Sequence, residues 1–243
     1  MKIGILQADS VLDQFQPDHG NYPGMIAEIL GQAATELNID TEFRSYDVEH
    51  GIYPDAIDEC DGYVITGSKK SVYDVEPWIA VLKEYTRELH AAEKKLVGLC
   101  FGHQLVAEAL GGKTLGAEAG WCVGIHDHKV IQSRWFMDTE ELELFTLIVS
   151  HKDQVIQLPE GAQLLASAEQ CPNSMYCIGD HIFTMQGHPE FSQEYSRDLM
   201  AMRQEILGPE TYKAGVASLD KPLMRGIVSR WIIRFMKGKP ATD

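Results

Sequence analysis

The residues around Cys100 have the types and the spacing of an activated nucleophile. Cys100 lies in Gly-Leu-Cys-Phe-Gly, with Gly98 two residues before it and Gly102 two residues after it. A nucleophile in a tight turn between a buried strand and a helix needs very small residues at those positions. The pattern is that of a nucleophile elbow in which cysteine replaces serine. A core cysteine beside ordinary turn glycines is the alternative, which the flanking strand and helix disfavour.

The helix expected after Cys100 would assist the chemistry in two ways. Its positive N-terminal end would face the thiolate and stabilise it. The backbone N–H of Phe101 would point towards the oxyanion that develops on an attacked carbonyl. The residues therefore predict acyl transfer by an activated thiol.

His188 and Glu190 are the candidates for the base and for the group that orients it. A thiol nucleophile normally needs a histidine held by a third side chain. Among the nine histidines, His188 follows a short apolar strand and Gly187, and Glu190 lies two residues further on. Open α/β sheets collect catalytic groups at the carboxyl ends of strands, where the turn of Cys100 also belongs. Alone, this segment is more typical of a surface turn; together with Cys100 it predicts a catalytic pair.

Alternating strands and helices in the first half of the chain must position these groups. Short β-rich or apolar runs predict strands at Lys2–Ala8, Thr41–Tyr46, Tyr63–Thr66 and Lys95–Leu99. Apolar periodicity predicts helices after Asn21, at Glu76–Ala92 and at Gln104–Leu110. This alternation indicates an α/β fold with a mostly parallel open sheet and helices on both faces.

The pattern changes after residue 112 to short strands and becomes helical again after Ser192. The strand-like runs are Val123–Ile131, Leu144–Ser150, Gln154–Leu158, Gln163–Ser167, Met175–Ile178 and His181–Met185. We predict that they are extra strands, partly antiparallel, that close the sheet. Helical runs follow at Arg197–Leu207 and Met224–Met236. No linker is evident, so we predict a single domain over residues 1–243, of which about 192–243 is a C-terminal helical extension.

Composition restricts the partners and the compartment. Lys and Arg number 21 and Asp and Glu number 36, so the formal net charge is −15. So acidic a chain repels phosphate backbones and anionic lipid, and we expect neither nucleic acid nor a membrane as partner. No apolar run has the length of a signal peptide or of a membrane span. The five cysteines form no Cys-x-x-Cys pair, which is typical of a cytoplasmic protein with reduced thiols.

No metal or other cofactor is expected from the sequence. His126 and His128 would share one face of a strand, but no convincing third ligand accompanies them. A solvated or hydrogen-bonded strand face is the simpler interpretation. His151 and Asp153 lie near the expected site, where a turn-forming role explains them as well as substrate contact does.

Two motifs together resemble the class I glutamine amidotransferase family. Gly-Leu-Cys-Phe-Gly-His-Gln at Cys100 is followed about 80 residues later by Gln-Gly-His-Pro-Glu at His188. The similarity covers roughly residues 1–192, and Ser150–Val155 resembles a segment of the GMP synthase amidotransferase domain and its free-standing relatives. The resemblance implies a flavodoxin-like fold with Cys100, His188 and Glu190 as catalytic triad.

The resemblance also implies an oxyanion hole and a substrate-binding set. Gly67 lies in a segment similar to the family's oxyanion strand, so its N–H would act beside that of Phe101. Gln104 matches a glutamine that contacts the substrate. Gly120 and Trp121 belong to a segment similar to one that lies along the amino-acid end of the substrate.

Two departures from the family pattern concern the surroundings of the pocket. Gly187 stands where an aromatic residue is common before His-Pro-Glu. Ser68-Lys69-Lys70-Ser71 replaces a more glycine-rich loop. Access to the pocket is therefore expected to differ from that in other members.

The resemblance implies hydrolysis of a small-molecule γ-glutamyl amide, such as glutamine, through a γ-glutamyl thioester on Cys100. The sequence contains no Gly-x-x-x-x-Gly-Lys-Ser/Thr loop, so we expect no ATP-using acceptor domain. Three possibilities stay open. They are a glutaminase that passes ammonia to a separate synthetase subunit, a stand-alone γ-glutamyl peptidase acting on glutathione-like compounds, and a non-catalytic binding or regulatory protein. The intact triad disfavours the last.

Overall fold

The computed structural model describes residues 1–138 and 142–239, which form a nine-stranded sheet, a two-stranded sheet and seven α-helices. The strands are β1 (Lys2–Gln7), β2 (Glu42–Asp47), β3 (Gly62–Ile65), β4 (Lys95–Leu99), β5 (Lys113–Gly116), β6 (Cys122–Val130), β7 (Leu144–His151), β8 (Asp153–Gln157), β9 (Ala162–Ala168), β10 (Cys171–Ile178) and β11 (Ile182–Met185). The helices are α1 (Gln16–His19), α2 (Tyr22–Glu36), α3 (Pro77–Ala91), α4 (Phe101–Ala109), α5 (Gln193–Met202), α6 (Gln204–Ser218) and α7 (Arg225–Lys237). No helix in these ranges has both the length and the apolarity needed to cross a membrane.

The main sheet has the strand order β2-β1-β3-β4-β11-β10-β9-β6-β7. The first five strands in this order are parallel, and the other four continue it in antiparallel pairing. This confirms the predicted fold class. Strands β4 and β11 are adjacent and in register, with Leu99 opposite Met185. Their carboxyl ends therefore place the segments of Cys100 and His188 side by side.

The central strands are buried on both faces, which is why they read as continuous apolar runs. Val64 and Val97 pack on one face of the sheet, where α2 and α7 lie. Tyr63 and Leu96 point to the opposite face, which α3 and α4 cover. Burying each side chain of this size stabilises the fold by about 1.5–3 kcal/mol. The sheet is thus a rigid support for the turns at its carboxyl edge.

Two predictions for the middle of the chain were wrong in detail. The run Gln154–Leu158 does not join the main sheet, because β8 pairs instead with β5 to form the two-stranded sheet. The helix after Cys100 begins at Phe101 and not at Gln104. The first turn of α4 contains a glycine and a histidine, so it lacks the apolar periodicity from which a helix is predicted.

The C-terminal region differs from the predicted single helix over Arg197–Leu207. That helix is interrupted at Arg203, where α5 ends and α6 begins, and it bends again at Gly208, whose φ of 74° precedes Pro209. Helices α5 and α6 cover β6 and β7. Helix α7 returns to the parallel strands and packs beside α2, with Trp231 fully buried.

Trp231→Ala is expected to lower the free energy of unfolding by about 3–5 kcal/mol, since it leaves a large cavity in the core. The ring is 0% exposed and meets Phe145 edge to face. Urea denaturation monitored by circular dichroism measures the change. The control is Ile206→Ala, a side chain that is 70% exposed on α6, which should change stability by less than about 0.5 kcal/mol. Small effects of both substitutions would contradict the placement of α7 in the core.

Candidate active site

Cys100 lies between β4 and α4 in a backbone conformation that L-residues rarely adopt. Its φ is 50° and its ψ is −99°, and such strained positions cost about 1–3 kcal/mol. An added Cβ at Gly98 would lie 2.6 Å from the carbonyl oxygen of Gly102, and one at Gly102 would lie 2.6 Å from that of Ile65. Both positions therefore need glycine, as the elbow pattern predicts. The Cys100 N–H donates to the Met185 carbonyl (2.9 Å), which ties the turn to β11.

His188 is held by its backbone N–H, by one ring nitrogen and by one face of its ring. Its backbone N–H donates to the carbonyl of Ile148 on β7 (2.8 Å). Its Nδ1 lies 2.8 Å from Glu190 Oε1, and the two side chains are 4% and 1% exposed. Phe191 stacks on the imidazole with ring centroids 3.9 Å apart. An ionised carboxylate only accepts, so the proton of Nδ1 points to Glu190 and Nε2 is left for the thiol.

The surroundings of His188 favour its charged form. Burial by itself lowers the pKa of the imidazole, but Coulombic attraction to Cys100 and to Glu190 outweighs it. The pKa of His188 is therefore raised above its ordinary value. An imidazolium beside Cys100 stabilises the thiolate, which is the nucleophilic form of cysteine.

Five of the predicted site residues meet around one pocket. Cys100, His188, Gly67, Gln104 and Trp121 all line it. An added Cβ at Gly67 would lie 3.0 Å from His188 Cε1 and 3.8 Å from Cys100 Cβ. Gly67 thus lies beside both Cys100 and His188, and a side chain at this position would crowd the imidazole.

The other predicted residues lie outside the pocket lining. Glu190 is behind His188 and reaches the pocket only through it. The Phe101 ring is buried against Trp78, with ring centroids 5.5 Å apart, so its predicted role concerns the backbone N–H alone. Gly120 is an exposed turn residue with φ of 74° and does not line this pocket. Its contact with substrate stays a prediction.

Gln186 is a polar neighbour of the thiol that the sequence analysis did not assign. Its Nε2 points at Cys100 Sγ over 3.5 Å, and its Oε1 accepts from Gln104 Nε2 over 3.1 Å. Gln104 Nε2 also donates to the Asp153 carbonyl (2.7 Å), so its amide nitrogen is already engaged by the protein. A glutamine directly after an apolar strand and two residues before the histidine is the signal that could have revealed Gln186.

The glycine-poor loop near the pocket is held by two buried carboxylates. Asp9 accepts from the backbone N–H of Lys69 (2.8 Å) and from its Nζ (2.7 Å). Asp153 accepts from the hydroxyls of Ser71 and Tyr73. The side chains of Lys69 and Ser71, which replace glycine in this loop, therefore help to fix its conformation, and Asp153 anchors the loop from β8.

Gly187 lacks a side chain because β7 occupies the space. An added Cβ would lie 2.9 Å from Leu147 Cδ1 and 3.0 Å from Leu147 Cβ. The same strand supplies the carbonyl that binds the His188 N–H. The departure from the family pattern at this position thus lets β7 approach His188 closely.

His126 and His128 are hydrogen bonded within the protein. The Nδ1 of His128 lies 3.1 Å from Ser174 Oγ, and the Nε2 of His126 lies 3.2 Å from the Val123 carbonyl oxygen. These contacts agree with the hydrogen-bonded strand face that the sequence favours. Within residues 1–138 and 142–239, no group of three His, Cys, Asp or Glu side chains is arranged to hold a metal ion.

The strained cysteine turn, the buried histidine and the parallel sheet have the geometry expected of a cysteine hydrolase on a flavodoxin-like fold. The chain belongs to the class I glutamine amidotransferase family, whose model matches residues 21–204. Gamma-glutamyl peptidase 3 of Arabidopsis thaliana is 35% identical over 183 residues, which are 72% of this chain and 71% of that protein. The GMP synthase [glutamine-hydrolyzing] of Streptococcus mutans is 29% identical over 70% of this chain, but over only 32% of its own length.

The same fold occurs in a solved structure of a glutamine amidotransferase from Thermotoga maritima. The two structures superpose with a TM-score of 0.72 over 97% of this chain and 96% of the other. Sequence identity is 17%, so this likeness concerns the fold alone.

Glu190→Gln is expected to lower the pKa of His188, because it removes one of the two charges that raise it. Nuclear magnetic resonance titration of the histidine Cε1–H signals measures this pKa. The wild-type imidazolium should persist to a higher pH than that of the variant. Glu194→Gln, which removes an exposed carboxylate four residues away, should leave the titration unchanged. Identical titrations of wild type and Glu190→Gln would show that Glu190 does not act on His188.

Proposed function

We propose that this protein hydrolyses γ-glutamyl amides, with Cys100 as nucleophile, His188 as general base and acid, and Glu190 as the group that orients His188. The observation that carries the proposal is the placement of a strained cysteine and a buried, carboxylate-held histidine in one pocket. The 35% identity to a γ-glutamyl peptidase supports the γ-glutamyl class of substrate.

The first half of the reaction forms a thioester. The Cys100 thiolate attacks the γ-carbonyl carbon, and the carbonyl π electrons move to oxygen. The backbone N–H groups of Gly67 and Phe101 are proposed to stabilise this oxyanion. When the intermediate collapses, the C–N bond breaks and His188 gives its Nε2 proton to the leaving nitrogen. The products are a free amine, or ammonia from glutamine, and a γ-glutamyl thioester on Cys100.

The second half releases glutamate and restores the enzyme. Neutral His188 takes a proton from water, which attacks the thioester carbonyl. The C–S bond breaks, Cys100 leaves as a thiolate, and His188 is again an imidazolium. Glu190 keeps Nδ1 protonated throughout, so Nε2 is the atom that exchanges protons. The overall reaction needs only water as co-reactant, and we propose no cofactor.

We favour a stand-alone γ-glutamyl peptidase over a glutaminase that serves a separate synthetase subunit. The chain spans 71% of the length of the γ-glutamyl peptidase relative, but 32% of the GMP synthase relative. The likeness to the synthase is thus confined to a minor part of that protein. A small-molecule γ-glutamyl compound is the proposed partner, and a synthetase subunit is the alternative that the assay below tests.

Cys100→Ala is expected to lower kcat by at least about a thousandfold, because it removes the nucleophile. Glu190→Gln should lower kcat by less, about a hundredfold, because an acid–base group loses its orientation and the thiol remains. Release of glutamate from γ-glutamyl dipeptides by the purified chain measures both effects. Equal turnover by wild type and Cys100→Ala would overturn the proposed mechanism.

The same assay, run with glutamine beside γ-glutamyl dipeptides, separates the two forms of the proposal. A stand-alone peptidase should hydrolyse the dipeptides unaided and with at least about tenfold higher kcat/KM than glutamine, a preference of about 1.4 kcal/mol. Hydrolysis of glutamine but not of the dipeptides would point to the glutaminase. Circular dichroism of the inactive variants serves as the folding control.

A further inference from the structure

Gln186 contacts the thiol of Cys100 from the interior of the protein, and the proposed mechanism gives it no role. Its Nε2 lies 3.5 Å from Cys100 Sγ, within hydrogen-bonding reach of the large sulfur atom. Gln186 is 0% exposed and lies outside the lining of the pocket that Cys100 shares with His188. The amide therefore meets the sulfur from the protein side and not from the side on which a substrate would bind.

Two backbone hydrogen bonds fix Gln186 beside the cysteine turn. The Cys100 N–H donates to the carbonyl of Met185 (2.9 Å), the residue that directly precedes Gln186. The Gln186 N–H donates to the Ser174 carbonyl on β10 (2.8 Å). Because β10 and β11 are neighbours in the main sheet, Gln186 cannot move away from Cys100 without breaking at least one of these bonds.

A chain of hydrogen bonds determines which end of the Gln186 amide faces the sulfur. The Asp153 carbonyl can only accept, so the atom of Gln104 that lies 2.7 Å from it is the amide nitrogen. The same Gln104 Nε2 lies 3.1 Å from the Gln186 amide, which must present its oxygen there. The amide nitrogen of Gln186 is thus left to face Cys100, and its N–H donates to Sγ.

A thiolate at Cys100 needs such donors because little water reaches it. Cys100 is 6% exposed, and a buried charge is costly unless it is paired and hydrogen bonded. The imidazolium of His188 supplies the opposite charge. A hydrogen bond from a neutral amide favours the charged form of the sulfur as well, and the amide has no proton to lose. Its contribution therefore does not depend on the protonation of His188.

We propose that Gln186 is a further catalytic residue, which stabilises the Cys100 thiolate by donating a hydrogen bond to Sγ, and that Gln104 is the positioning residue that fixes the Gln186 amide. This inference rests on the proposed function and adds a fourth side chain to its machinery. The thiolate occurs twice in the proposed reaction, as the nucleophile and as the leaving group when the C–S bond breaks. Gln186 stabilises it at both points and keeps its own protons throughout.

Gln186→Met tests the assignment, because it removes the donor and keeps the length of the side chain. The rate at which iodoacetamide alkylates Cys100 is measured by peptide mass spectrometry. At about pH 5 we expect alkylation to slow at least about fivefold, as for the loss of a hydrogen bond to a charged group. At about pH 9.5, where ordinary cysteine thiols are ionised, the rate should stay within about twofold of wild type.

Gln154→Met is the matched control, the same substitution at another buried glutamine. Gln154 lies on β8, is 8% exposed and does not line the pocket of Cys100. Alkylation of this variant should match wild type at both pH values. A loss in Gln186→Met that is equal at both pH values would indicate impaired access to the thiol and would overturn the assignment. Unchanged alkylation at about pH 5 would overturn it as well.

Gln104→Met tests the orienting role of Gln104. It removes the donor that fixes the Gln186 amide, while the Asp153 carbonyl keeps its bond with His151 Nδ1 (3.0 Å). Alkylation at about pH 5 should slow by less than in Gln186→Met, but at least about twofold, and the double variant should be no slower than Gln186→Met alone. Iodoacetamide carries no γ-glutamyl group, so a lost substrate contact of Gln104 cannot cause this effect.

Additive losses in the double variant would contradict an action of Gln104 through Gln186. Circular dichroism of each variant serves as the folding control. If Gln186→Met does not fold, Gln104→Met carries the test, and its unchanged alkylation at about pH 5 would then overturn the proposal.

Alkylation separates this inference from the proposed function, because it needs no γ-glutamyl substrate. If wild type hydrolyses no γ-glutamyl dipeptide, the proposed function fails, while a loss confined to low pH in Gln186→Met still supports thiolate stabilisation by the amide. If the dipeptides are hydrolysed and Gln186→Met is alkylated like wild type, the function stands and the role of Gln186 is refuted.

Discussion

The strained turn at Cys100 is the constraint on which the rest of the site depends. A positive φ at a cysteine persists only where the surroundings hold it, and here Gly98, Gly102 and the carbonyl of Ile65 lie so close that neither glycine could carry a side chain. This turn brings Cys100 to the pocket and starts α4 at the next residue. The strands β3 and β11, which are fully buried, and β4, which is buried apart from Lys95, supply the packing that maintains the strain.

The second half of the site depends on the antiparallel strands that extend the sheet. Strand β7 binds the backbone of His188 through Ile148 and packs against Gly187, so the histidine is placed by the sheet as firmly as the cysteine is. The end of the same strand carries His151, and α5 and α6, which cover it, bring Arg203 to the pocket. The proposed catalytic groups thus follow parallel strands, and the other polar groups of the pocket come from the added strands and helices.

The sequence predicts the groups that follow parallel strands better than those that the added strands and helices bring to the pocket. Cys100 and His188 each lie in a short local pattern, so their strand ends and their proximity were predictable from spacing and from the parallel alternation. Arg203 reaches the pocket through tertiary packing, which no local pattern records. Gln186, by contrast, stands directly before Gly187 and His188, a local position that could have indicated it. The break at Arg203 was missed because helical propensity continues through it. The pairing of β8 with β5 was missed because strand patterns do not specify partners.

The most direct test of the central claim is to trap the acyl-enzyme. Wild-type protein would be mixed with a γ-glutamyl anilide, quenched in acid within the first turnover, and analysed by intact-mass and peptide mass spectrometry. The account predicts one γ-glutamyl group per chain, attached to the peptide that contains Cys100 and absent from Cys100→Ala. A γ-glutamyl group on another residue, or an unmodified Cys100 throughout an active turnover, would contradict it.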